Sequence, residues 1–148
     1  MRRALLALLF ATAGLVLGCG GDDDPFGSYC DVVKEQQQPL SEALAQGAST
    51  GLLAALPSFE KLRDAAPDDI ADEWAVVIQR IRVLRDALDE AGVDAATYDA
   101  EKPPPDVSEE QQAAIAAAAN GLATPSTTAA LSSVEQQARD VCRTQLSL

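Results

Sequence analysis

Apolar residues follow two different rules along this chain. From Ala4 to Leu17 no charged residue interrupts them, whereas from Tyr29 onward they recur every three or four positions, the period of a helix face. The early run is preceded by Arg2 and Arg3 and gives way abruptly to Gly18-Cys19-Gly20-Gly21-Asp22-Asp23-Asp24. A basic start, a short apolar middle and a small residue before a break is the layout of a secretory signal peptide. The run is 14 residues long, short of the roughly 20 that span a bilayer. Residues 20–27 are glycine-rich and acidic and read as a tether. Their aspartates lack the spread of oxygen donors that a calcium loop needs.

The second regime predicts helices throughout. Ser28 opens the first, with Asp31 three positions on, and Tyr29, Val32 and Val33 make its apolar stripe with Cys30 alongside. Pro39 breaks or kinks it before a further turn or two from Leu40 to Gly47. Ser49 or Thr50 caps the next segment, where Leu52, Leu56, Phe59 and Leu62 hold one face across Pro57, so a kinked helix is expected. Pro67 suits a first helical position and Asp68 and Asp69 suit the positive end of a helix. The helix that follows runs to about Glu90 or Ala91 and stops at Gly92. Its residues Ile70, Trp74, Val77, Ile81, Leu84 and Leu88 alternate in steps of four and three. Ile78 widens that seam on one side and Val76 and Val83 on the other, which marks this as the central helix, packed by neighbours on more than one side.

Glu73 and Arg80 fall inside the same wide arc. They read either as a charged pair lining a groove or as two boundary side chains with their charged ends in water. Beyond Gly92 the pattern fades. Tyr98 sits on a short turn, and Lys102-Pro103-Pro104-Pro105 reads as a stiff extended connector. Ser108 and Gln111 form a capping box for a helix from Glu109 to Asn120, ended by Gly121. Its core face is almost all alanine around Ile115, which allows close approach but buries little area. Thr124-Pro125-Ser126 starts the last helix, with Leu131, Val134, Ala138 and Val141 as its stripe and Cys142 beside Val141. No stretch alternates with period two, so a sheet is not expected.

The end of the early apolar run, Leu15-Val16-Leu17-Gly18-Cys19, resembles the lipobox of bacterial lipoproteins. The resemblance implies a signal peptide over residues 1–18 and diacylglyceryl attachment to Cys19. It implies a lipid-anchored protein on the extracytoplasmic side of the cell membrane, and it covers only those first residues. The alanine-rich remainder, with Tyr29-Cys30 near its start and Cys142 near its end, resembles in layout small lipoproteins of high-GC Gram-positive bacteria. That likeness carries no functional residues. The expected organisation is therefore signal peptide 1–18, acylated cysteine and tether 19–27, and a single helical domain over 28–148.

Charge and cysteine content narrow the function classes. Setting aside Arg2 and Arg3 leaves 9 basic residues against 23 acidic ones, a net charge of −14. Such a surface repels nucleic acid and anionic headgroups. The chain has no histidine, which removes Ser-His-Asp and Cys-His nucleophiles and imidazole-based zinc sites. With Cys19 assigned to lipid, Cys30 and Cys142 bracket the domain, and in an oxidising compartment a disulfide is their expected state. The expectation is an all-α small helical bundle with a long central helix and a disulfide joining first and last helices. No metal or cofactor site is expected, and no catalysis.

Two functions then compete. One is an interaction module docking on an envelope protein through Val76, Val83, Glu73 and Arg80. The other is a carrier of a small or lipidic ligand between helices. The first requires exposed valines, whereas burial of both beneath the first or last helix, the expected arrangement, makes the strip part of the core.

Overall fold

A computed structural model describes residues 26–146 and 148. Cys19, the apolar run and the acidic part of the tether lie outside the described residues. Five helices follow one another, α1 (Gly27–Leu44), α2 (Ala48–Ala65), α3 (Asp68–Ala91), α4 (Glu109–Leu122) and α5 (Pro125–Val141). Among the described residues there is no strand, and Cys30 of α1 is bonded to Cys142 at the end of α5. The protein is a small helical bundle built round its longest helix. α3 packs on α2, α4 and α5, α1 packs mainly on α2, and α1 meets α5 over a short stretch.

Every residue of the four-and-three seam on α3 is buried, together with Ile78. Trp74 is fully enclosed, its ring centroid 5.8 Å from that of Phe59 in α2, and its indole N–H donates to the Tyr29 hydroxyl of α1 at 3.2 Å. Three helices thus meet on three aromatic side chains, with the indole N–H of Trp74 satisfied by the Tyr29 hydroxyl oxygen. Burial pushes the Tyr29 hydroxyl pKa up, the Trp74 bond opposes this, and the negative charge of Asp69 adds to the rise. On the surface between α2 and α3, the Arg82 guanidinium pairs with Glu60. At Gly92, left-handed with φ 68°, α3 ends in a Schellman arrangement, the Val93 N–H donating to Leu88 O at 3.1 Å.

Several ends differ from the expectation. α1 begins at Gly27 with Phe26 as its N-cap, not at Ser28, and has no side-chain cap. Phe26 is half-buried against the core, so packing rather than a Ser28–Asp31 box sets the start. α1 runs through Pro39 without a break, and α2 is a single helix across Pro57, as expected. Pro39 and Glu35, whose carbonyl it deprives of a donor, are both exposed, so water can satisfy that carbonyl. α2 is capped by Gly47 at φ 104°, not by Ser49 or Thr50. The Thr50 hydroxyl instead donates to Ala95 O at 3.2 Å, tying the start of α2 to the chain beyond α3. Pro67 is the N-cap of α3 rather than its first residue.

The Ser108–Gln111 capping box is present in both directions. α4 then passes Gly121 and ends at Leu122, where the hydroxyls of Thr124 and Thr127 both donate to Gly121 O, at 3.0 and 2.9 Å. On α5 the buried line is Thr127, Ala130, Val134 and Ala138, with Leu131 half-buried and Val141 39% exposed. Gly121, just before α5, lies beside Arg80, and Ser126, Ala129, Ala130 and Ser133 face Asp72, Glu73 and Val76 across one cleft, so α5 leads toward the start of α3 and runs antiparallel to it. Val141 is the last residue of α5. Cys142, one residue on, is drawn inward by its disulfide.

Candidate functional site

The core has two unequal parts. The larger fills the space between α1, α2, α5 and the first half of α3. The smaller centres on Leu84 and Leu88 of α3 with Ile115 and Ala118 of α4. The aromatic trio fills the larger part. In the smaller part the facing residues of α4 are alanines, whose methyl groups cannot reach across the gap. The result is a cavity of about 510 Å³.

Leu84 and Leu88 form its floor. Ile115, Ala116 and Ala119 of α4 line one wall, while Ala95, Tyr98 and Ala100 of the α3–α4 connection line another, with Ser49 at the start of α2. The sequence leads one to expect close helix approach along the alanine face of α4. Ala118 sits in such a contact and Ala119 packs partly against it, but Ala113 and Ala116 are exposed along the cavity. The connection is held in place as a wall by local bonds. The Tyr98 N–H donates to Asp94 O at 2.9 Å, and the Asp94 carboxylate accepts from the Ala96 N–H at 2.7 Å. Tyr98 thus sits on the short turn expected of it. Pro104 opens a further turn, closed by the Val107 N–H at 3.0 Å, so the proline triplet is not wholly extended, and Val107 is buried. The Gln111 amide donates to Glu90 O at 3.1 Å and holds the start of α4 against the end of α3.

Polar groups on the cavity wall are few. The Gln112 side-chain amide donates to Val107 O at 2.9 Å, which leaves its carbonyl oxygen as an acceptor. The Tyr98 hydroxyl, half-buried, has no hydrogen-bond partner among the described residues. Ser49 and Glu109 complete the set. A second, more open cleft of about 560 Å³ lies on the other side of Leu88 and Ala95, with Arg85, Asp89 and Asp94 on its rim.

The strip on the flank of α3 is exposed, contrary to the expectation of core. Val76 is 37% and Val83 40% accessible. Val76 sits with Glu73 in the α3–α5 cleft of about 230 Å³, less than half the volume of the main cavity. Glu73 and Arg80 are half-buried, and neither forms an ion pair among the described residues. The Arg80 side chain lies beside Gly121, its Cδ and one guanidinium nitrogen both within 4 Å of where a Cβ there would be. Glu73 and Arg80 are thus not joined as an ion pair among the described residues.

The disulfide joins the residues expected to form it, and both cysteines are buried. Among the described residues, no three or more His, Cys, Asp or Glu side chains stand where they could share a metal ion. No helix among them is long and apolar enough to cross a membrane. Comparison with known proteins finds no matching family model, no similar curated protein and no similar solved structure.

Proposed function

We propose that this chain is an extracytoplasmic lipoprotein whose helical domain, held at the membrane by acyl chains on Cys19, binds a small apolar ligand without catalysis. The anchor rests on Arg2-Arg3, the apolar run and Gly18-Cys19. More than one acyl chain makes attachment stable rather than reversible. A buried disulfide fits the oxidising side of that membrane.

The observation that carries the binding reading is the cavity. Its volume of about 510 Å³ falls in the range of roughly 300–1,000 Å³ typical of small-molecule sites. Its lining also has the usual composition of such sites, apolar with a few convergent polar groups. The α3 flank has less behind it, because single exposed valines are ordinary on protein surfaces. Docking of an envelope protein there is therefore the weaker reading, and ligand carriage the stronger one.

Two experiments test the two halves. Cys19→Ala is expected to abolish incorporation of labelled fatty acid and to leave the precursor uncut, and continued labelling overturns the anchor. For the cavity, the full chain is taken from membranes into native mass spectrometry beside two variants. Ala116→Phe fills the cavity from an exposed position of α4, while Val76→Asp with Val83→Asp charges the α3 flank. A small-molecule adduct is expected on the parent and on the flank variant and is expected to be lost in Ala116→Phe. An adduct that survives Ala116→Phe, or one that disappears only in the flank variant, overturns the cavity reading.

A further inference from the structure

Glu109 is the charged residue on the wall of the cavity. It forms no ion pair among the described residues, although Lys102 follows the same connection. Its place in the first turn of α4 favours a carboxylate through the helix dipole, but Glu110 provides the same benefit without lining the cavity. The other polar groups there also accept hydrogen bonds. Gln112 has given one N–H of its amide to Val107 and offers its carbonyl oxygen, and the Tyr98 hydroxyl oxygen is unused. The chain as a whole carries a formal charge of −12.

From this arrangement, and resting on the binding reading above, we infer that the cavity takes a small amphiphile with a primary ammonium head and no anionic group. Its apolar body lies against Leu84, Leu88 and Ile115. Its head meets Glu109, with Gln112 and Tyr98 as further acceptors, which matches the three N–H donors of an ammonium group. A carboxylate head of the same length is repelled by Glu109, although the hydroxyls of Tyr98 and Ser49 and the second N–H of Gln112 remain as donors. A neutral alcohol gains the apolar contact alone.

The test is calorimetric titration of the full chain at pH 7 and low ionic strength with octylamine, octanol and octanoate. Octylamine is expected to bind tightest and octanoate weakest. One partly exposed ion pair makes the amine favoured over the alcohol by up to about fivefold. Glu109→Gln is expected to bring octylamine to the affinity of octanol while leaving octanol unchanged, with α4 intact by circular dichroism. Ala116→Phe is expected to weaken all three alike. If octanol binds and Ala116→Phe weakens it, but the amine is no better or keeps its advantage in Glu109→Gln, the ammonium inference is overturned and the carrier reading stands. If none of the three binds the parent chain, the carrier reading falls and takes the inference with it.

Discussion

Gly51 shows how one residue fixes the angle at which two helices meet. It lies in the first turns of α2, buried, where α2 passes the end of α1. A Cβ added there meets Leu44 Cα and Leu44 O at 2.9 Å and Ala43 O at 3.0 Å, all of them backbone atoms. In an exposed helix interior, alanine is better than glycine by about 1 kcal/mol. Here the neighbours cannot rotate away, so α1 and α2 must separate and loosen the packing around Leu40 and Leu56. Gly51→Ala is therefore expected to destabilise the domain, by about 1–3 kcal/mol, the usual cost of overpacking. Urea denaturation with an unchanged slope and a lower midpoint is the expected reading. A higher midpoint means that propensity wins and the close approach is soft.

At the level of elements, hydrophobic period carries most of the information. The α3 seam is legible because six large side chains, evenly spaced, leave a single face to bury, and the Ser108–Gln111 box is legible because it is purely local. Helix ends set by packing are less so, and nothing within two turns of Ser28 signals that Phe26 will dock on the core and start α1 early. Gln36 was hidden for a related reason. It occupies the core line of α1 between Val33 and Leu40, where apolar counting passes over a polar residue, and its carbonyl oxygen is buried without a partner among the described residues. Val141 was misplaced because periodicity gives direction around a helix and not where the helix ends. The cavity escaped for the same kind of reason. Alanine on the face of α4 signals small volume, and only the placement of the connection and the start of α2 decides whether helices close on it or leave a space.

Across the whole molecule, the disulfide closes what packing alone leaves loosely joined. α3 is gripped on three sides, but α1 reaches α5 over only a short stretch. There, besides Cys30–Cys142, the Gln37 side chain donates to Gln145 O at 2.9 Å and Leu146 is buried. The bond spans a sequence separation of 112, for which the chain-entropy argument gives about 4–5 kcal/mol, an upper figure for most real bridges. That is comparable with the whole stability of a small domain, about 5–15 kcal/mol. Cys30→Ala with Cys142→Ala is therefore expected to lower Tm by roughly 10–20 °C, taking several degrees per kcal/mol for a domain of this size. Because both cysteines are buried, reductant added to the native protein is expected to act slowly, whereas reduction after unfolding reproduces the double variant. Thermal melting by circular dichroism of the parent, the reduced parent and the double variant decides the matter. A Tm within about 3 °C of the parent in both altered forms means that the burial around Tyr29, Phe59 and Trp74 holds α1 and α5 together without the bond. A loss on the expected scale means that the bond supplies a large share of the domain's stability.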